Sequence, residues 1–389
     1  MGFCSVVGAR WLPSAAVCLA IIAGGCGREA AETGSPETGK VRIAYLGLTC
    51  EAAMFVAQEK GYFKDEGIDV EFVKTDWDGL RDGLGLGRFD ANYTLIMYLL
   101  KPIEQGLDVK ITGGVHTGCL RVQAVKDSGI KTVEDLRGKR IGIPTMGSPP
   151  FLFASRALAA HGLDPERDVK WVVIAPEVAS LSLDNGQVDA MADSEPLGSI
   201  LEGMGKVHTV ADQAVDEPYK DEYCCAVVVN GAFARRDPES ASKVTRALLK
   251  GALWVEKNPA AAAQLSVEKK YIAASVDMNA LAISKLKYVP GVSDCRKSLD
   301  LAAGEMKTAG LLNPSTDPAE LAERSWLTLE GVSDDWIKGL EVETVAGGDI
   351  PPELDDKALA ALVSQGVPIP SCCAGCGDGT DSDLCGRAP

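Results

Sequence analysis

The chain has 389 residues, is 46% hydrophobic but only 6% aromatic, and carries a formal net charge of −16. That length and apolar content support a sizeable core and suggest about two domains. The acidic balance excludes a nucleic-acid partner, which needs a basic face, yet leaves an anionic small ligand open, because a pocket's field is set by a few side chains and helix ends.

Residues 1–25 read as an export signal: Arg10 precedes an apolar run from Ala15 to Ala23, followed by the small residues Gly24-Gly25. Cys26 directly after them resembles a bacterial lipobox, which implies diacylation of that cysteine and anchoring to a membrane by lipid; the alternative is an ordinary signal with an incidental cysteine. Residues 26–40 are small, polar and turn-forming, as a tether would be. No other segment is long and apolar enough to cross a bilayer.

Val41 to Leu46 is a short β-prone run. Thr49 is a candidate N-cap, and Ala52, Ala53, Phe55, Val56 and Ala57 supply an apolar helical face. Gly61 and Gly67 punctuate the exit before the strand-like Ile68 to Val73. The helix begins just past a strand end, where backbone N–H groups can face a ligand. FDANYTLI and DVKITGGV read as strands, with helical stretches over 77–88 and 97–106. A second set follows: strands at Leu120 to Val125, RIGIPT, VKWVVIA and VDAMADS alternate with helices at TVEDLRGK, SPPFLFASRALAAHG and PEVASLSLDNGQ. This alternation predicts mostly parallel sheets flanked by helices. CCAVVVNGAF follows Tyr223, and a helix-rich stretch runs from Asp237 to about Gly331.

The segment from Ala57 to Glu71 (AQEKGYFKDEGIDVE), DLRGKRIGI from Asp135 to Ile143 and GQVDA from Gly186 to Ala190 together resemble the nitrate, sulfonate, taurine and thiamine-pyrimidine-precursor group of periplasmic solute-binding proteins of ABC importers. The similarity covers roughly residues 41–270. It implies an α/β, two-lobed periplasmic-binding-protein (type II) fold with hinge-linked lobes. Lobe one would comprise 41–118 and, after a return, 223–345; lobe two would comprise 119–222; residues 346–389 form a Gly/Pro/Cys-rich tail outside the pattern. The resemblance also implies a small-molecule ligand, an ABC permease with its ATPase as partners, and a periplasmic or cell-surface location. The ligand class is a small anion or organosulfonate such as nitrate, taurine, another alkanesulfonate or bicarbonate. Two other readings stay open: the same fold binding a thiamine-pyrimidine precursor or another aromatic nitrogen compound, and a metal or redox sensor built on Cys50, Cys119 and His116 or on the tail. No nucleophile–base pair, metal-hydrolase motif or phosphate loop occurs in the sequence, so it reads as a binding protein and not as an enzyme.

Five strand ends followed by helix starts are the places where such sheets collect ligands. They are Thr49-Cys50, Tyr93-Thr94, His116-Thr117-Gly118-Cys119, the loop from Thr145 to Pro149, and Asp193-Ser194-Glu195-Pro196. In the Thr145 loop, Gly147 permits close backbone approach, Ser148 caps and Pro149 suits the first helical position. Arg121 reads as an anion clamp or a surface arginine on the crossing strand. Glu195 repels an anion, so it pairs with a cationic ligand group or with Arg121. Trp77, Tyr93 and Tyr98 either stack on an aromatic ligand or fill the core. No cofactor is expected for ligand binding itself.

Of twelve cysteines, Cys4 and Cys18 fall in the signal and Cys26 takes the lipid, leaving an odd nine. In an exported protein that means a free thiol or an intermolecular bond. Cys372, Cys373, Cys376 and Cys385 sit close together in the tail and have the spacing of a zinc or iron–sulfur site, or of a disulfide knot, which an oxidising compartment favours. Cys224 and Cys225 read as strand residues that pack at the crossing between lobes or pair with Cys295.

Overall fold

The computed structural model describes residues 39–365. The expected signal, Cys26 and the four tail cysteines lie outside the described residues, as does the side chain of Trp77. Within the described part, eleven strands form two sheets. They are β1 (Val41–Tyr45), β2 (Val70–Lys74), β3 (Ala91–Leu95), β4 (Val109–Thr117), β5 (Leu120–Val125), β6 (Arg140–Ile143), β7 (Lys170–Val173), β8 (Ala190–Ser194), β9 (Val207–Asp212), β10 (Tyr223–Asn230) and β11 (Lys287–Gly291). The first sheet has the order β11-β4-β10-β3-β1-β2 and the second β7-β6-β8-β5-β9. This is a mixed α/β fold with two sheet-containing lobes, as the sequence predicts.

The chain passes from the first sheet to the second between β4 and β5, across Gly118 and Cys119 alone, and returns between β9 and β10 through residues 213–222. The returning strand arrives from the opposite end and inserts antiparallel between β3 and β4. In the second sheet β5 runs antiparallel to β8 and β9. Both sheets are therefore mixed, which corrects the expectation of mostly parallel pairing: only β1–β2, β1–β3, β6–β7 and β6–β8 are parallel.

Burial explains the strand sequences. β10, in the middle of its sheet, is buried at every residue, so it reads as a continuous apolar run. The two strands that the sequence pattern did not reveal, β9 and β11, are both edge strands. An edge strand is half solvated and loses its alternation, and Pro290 within β11 is tolerated there because no inner neighbour needs its missing N–H. On the outer layer, the helix Ala52–Glu59 lies across the helix Pro238–Lys257, where a Cβ on Gly251 would stand 2.2 Å from the Ala53 carbonyl oxygen. Only glycine permits that approach.

Each lobe opens with the same local device. In the first, Arg42 at the start of β1 donates through its backbone N–H, Nε and Nη2 to Asp90, and Nη2 also reaches the Gly87 carbonyl at 2.7 Å. In the second, Arg140 at the start of β6 donates to Asp189 by the same three groups and through Nη1 to the Gly186 carbonyl at 2.7 Å. These bonds fix where the next parallel strand, β3 or β8, begins.

Two contacts tie the lobes together. Arg156 is completely buried on the helix Pro149–Ala160, forks onto both oxygens of Glu222 at 2.8 Å, and reaches Glu305 at 3.0 Å on the helix Ser293–Thr308. Burial pushes the Glu222 carboxyl up while the guanidinium pulls against it. On the other side, Ile200 on the helix Leu197–Gly203 packs with Met278 and Leu281, and Leu354, Leu362 and Val363 close over them. The helix Asp356–Ser364 thus belongs to the packed body, a correction to the reading of everything past residue 345 as tail.

Candidate functional site

Helices from the two lobes face each other across a cavity of about 510 Å³. Lobe two contributes Thr145 to Pro149 with Phe151 and Leu152, the loop after β6 and the first turn of the helix Pro149–Ala160. Lobe one contributes Tyr98, Lys101 and Gln105 from or just past the helix Ile96–Glu104, and Arg81 from the helix Trp77–Gly85. Gly147 adopts φ +77°, which turns the loop and brings the start of the helix to the cavity wall. Ser148 stands at the N-cap position, and Pro149 begins the helix without losing a hydrogen bond. The Ser148 hydroxyl and backbone N–H both donate to the Thr145 carbonyl, the hydroxyl at 2.7 Å, which closes the loop; Pro149 and Pro150 have no N–H, so Phe151 is the first helix residue that carries one. Lys101 keeps Glu104 at 2.5 Å, and Arg81 keeps Asp82 at 2.8 Å. A helix start, two cations and an aromatic ring around one cavity make an environment that favours a small anion.

The structure separates the other sequence candidates into three places. The β1 loop is closed to an incoming anion: the Glu51 carboxylate accepts from the N–H groups of Leu46, Gly47 and Leu48 at 2.7–3.1 Å. Thr49 is not the helix cap; it lies in a 3₁₀ turn (Thr49–Glu51), and its hydroxyl donates to Asn279 Oδ1 at 2.8 Å. Thr94 is buried within the first sheet, and Tyr93 fills core, its hydroxyl bonded to the Cys50 carbonyl and held far above its usual pKa by burial. Thr117 lines a different cavity of about 490 Å³ beside the lobe crossing, where Asp221, Glu222 and Asp294 outnumber Lys287 and Lys297. That cavity suits an anion poorly.

Arg121 is taken up inside lobe two. Its guanidinium pairs with Glu195 at 2.7 Å and Asp212 at 3.0 Å, and Ser199 donates to Glu195 at 3.0 Å. Asp193 completes this cluster opposite Arg121 in the β5–β8 pairing. Burial, then the neighbouring Glu195, raises its carboxyl well above the usual range, and neither of its oxygens has a hydrogen-bond partner among the described residues. Ser194 is buried beside it on β8.

Cys50, His116 and Cys225 converge. One ligating atom from each lies within 4.8 Å of the others, and all three residues are buried, a set that can chelate a metal ion. Cys119, grouped with Cys50 and His116 from the sequence, is not part of it. Among the described residues Cys295 is a free buried thiol, unpaired with Cys224 or Cys225.

The profile of the NMT1-like family matches residues 34–268. The chain belongs to the NMT1-like family. It is 24% identical over 287 residues to the nitrate/nitrite binding protein NrtA of Nostoc sp., a match that covers 67% of this chain and 65% of that relative, less than two thirds of its length. Among solved structures it is similar to the periplasmic aliphatic sulphonate binding protein SsuA from Escherichia coli, with TM-score 0.61, 18% identity, and coverage of 75% of this chain and 98% of the other. It is also similar to the periplasmic nitrate-binding protein NrtA from Synechocystis, with TM-score 0.60, 16% identity, and coverage of 83% and 93%. These likenesses show the periplasmic-binding-protein (type II) fold.

In this NMT1-like chain the sequence pattern missed Arg81, Lys101, Arg156 and the contribution of Cys225 to the cluster. One signal was present: Arg156 interrupts an otherwise apolar helix, PPFLFASRALAA, and a charge in such a run needs a buried partner. Lys101 carried no such signal, since a lysine on an amphipathic helix is ordinarily solvated.

Proposed function

We propose that this chain is an exported solute-binding protein of an ABC import system. It captures a small anion such as nitrate, bicarbonate or an alkanesulfonate and delivers it to a permease and its ATPase. The observation that carries the reading is the cavity between lobes, walled by Lys101, Arg81 and Tyr98 on one side and by the start of the helix Pro149–Ala160 on the other. Membership of the NMT1-like family and the nitrate-binding relative support it. The ligand exchanges its hydration for the cations of lobe one and the positive dipole end of lobe two's helix, so it is held best when the lobes are closed. Closure bends the chain at Gly118-Cys119 and within 213–222, which makes 41–118 with 223–345 one lobe and 119–222 the other. No catalytic step is required.

On this reading residues 1–25 are removed and Cys26 carries the lipid that keeps the receptor beside its permease. Cys26→Ala then moves the protein out of the membrane fraction; a parent protein without acyl label contradicts the anchor. Any metal on the tail cysteines is separate from solute capture. The solute class is tested by a thermal-shift panel of nitrate, bicarbonate, taurine, alkanesulfonates and pyrimidines. A true ligand at a hundredfold excess over its Kd stabilises by about 2.7 kcal/mol. Stabilisation by one anion class supports the reading. A response to pyrimidines alone replaces it with the aromatic-ligand alternative.

A further inference from the structure

The cysteine–histidine cluster sits where the chain crosses between the sheets, apart from the anion cavity. His116 is the next-to-last residue of β4, and Cys225 lies directly opposite it near the start of β10. The ladder shifts register on both sides of Cys225, so the pair stands at an irregular point of the β4–β10 pairing, where opposed side chains still come together. Cys50 arrives from the turn after β1, which is pinned from outside: the hydroxyls of Tyr93 and Tyr288 both donate to its carbonyl, the latter at 2.9 Å. Tyr288 is also the β11 partner of His116, with ring centroids 5.3 Å apart, and so backs the imidazole from its other side. Three separate segments are thus held so that a sulfur, a sulfur and a ring nitrogen meet in a space from which water is excluded.

We propose that Cys50, His116 and Cys225 form a binding site for a thiophilic divalent cation of the zinc class. The donor set fits that chemistry, since borderline-soft ions take thiolate and imidazole together. Metal–sulfur bonds of about 2.3 Å and a metal–nitrogen bond of about 2.0 Å place tetrahedral ligands roughly 3.5–3.8 Å apart. Ligating atoms no more than 4.8 Å apart therefore need a contraction of about 1.3 Å at most. The two thiol protons leave as the ion enters, and two thiolates then neutralise its double charge, so no net charge is buried. Three protein ligands leave a fourth tetrahedral position for a donor that enters with the ion.

Cobalt(II) titration of the full-length protein, reduced and prepared anaerobically, reports the site through the thiolate-to-cobalt charge-transfer band, and zinc is counted by elemental analysis. The parent is expected to bind one equivalent that Cys50→Ser, Cys225→Ser and His116→Ala each lose or weaken at least tenfold. Cys295→Ser, which changes an equally buried cysteine elsewhere, retains it. Circular dichroism and thermal melting of each variant show whether the fold is kept. Cys225→Ser is judged together with Cys50→Ser, because these residues occupy different elements and one surviving variant suffices. An unchanged cobalt band and zinc count in a folded Cys50→Ser or Cys225→Ser overturns the proposal and assigns the metal to the tail cysteines. A reduced parent that binds no cobalt, or a Cys50–Cys225 disulfide that fills the site in the protein as isolated, overturns the proposal as well.

Discussion

The two lobes use the same opening and finish it differently. Each starts with an arginine on the first strand gripping an aspartate before the next parallel strand and a glycine carbonyl four residues before β3 or β8 begins. After that strand each turns through a loop into a helix, whose positive dipole end favours an anion. Lobe one fills its loop with its own carboxylate, Glu51. Lobe two leaves the loop from Thr145 to Ser148 at the cavity wall, with no internal carboxylate on the helix start. The same backbone design thus serves as structure in one lobe and as a recognition element in the other, and one acidic residue makes the difference.

The largest expected effect concerns the tie between the lobes. Arg156→Met leaves Glu222 buried without its partner, and should cost about 3–5 kcal/mol in urea denaturation, with much of the loss recovered by adding Glu222→Gln. A loss within experimental error would mean that lobe two's helix is held by packing alone. Next, Glu51→Gln weakens the internal anion that closes lobe one's loop and should cost about 2 kcal/mol. It should leave solute affinity unchanged; a fall in affinity would make the two loops functional equals and break the comparison. The paired devices themselves differ in exposure, with Arg42 and Asp90 at 12% and 7% against 40% and 29% for Arg140 and Asp189. Arg42→Ala should therefore cost about 1–3 kcal/mol, and Arg140→Ala measurably less, since water screens the second pair. Equal losses would show that exposure is not what distinguishes them.

The smallest effect is a slope with pH. Burial and then Glu195 raise the Asp193 carboxyl well above the usual range in the fold, while in the unfolded chain it ionises near an ordinary aspartate value of about 3.9. Its folded pKa is the higher one, so the fold binds more protons and stability falls as pH rises above the unfolded value, until the folded carboxyl itself ionises. Asp193→Asn removes this dependence, and should flatten the stability profile between mildly acidic and neutral pH and raise stability at neutral pH. A steeper profile in the variant would contradict a raised Asp193 carboxyl.

Much of the frame is legible in the sequence because burial and periodicity coincide there. β5 is read at its true bounds, and the short apolar runs of β3 and β10 announce central strands. β9 and β11 are hidden because edge strands keep no clean alternation and β11 contains Pro290. The candidate site is only partly legible. Thr145 and Ser148 are found because a loop of glycine, serine and proline before an apolar helix has few other meanings. The same logic applied to Thr49 misleads, since nothing in the sequence says that Glu51 folds back onto the loop's own N–H groups. Arg121 and Glu195 are found as a pair, but Arg121's second partner, Asp212, is on an unread edge strand. Cys225 joins Cys50 and His116 through a strand register that spans more than a hundred residues, which local spacing cannot convey.

The central claim is that an anionic solute binds between Lys101 and the start of lobe two's helix. Isothermal titration of the thermal-shift ligand into the parent, Lys101→Ala and Glu51→Gln tests it most directly. Lys101 is a third exposed and also pairs the nearly buried Glu104, so thermal melting of Lys101→Ala separates any loss of stability from the loss of one charge-assisted bond to the solute, worth about 1.5–3 kcal/mol. The account predicts saturable one-to-one binding in the parent, at least tenfold weaker binding in Lys101→Ala, and parental affinity in Glu51→Gln. Parental affinity in Lys101→Ala together with lost affinity in Glu51→Gln would place the solute on lobe one and contradict it.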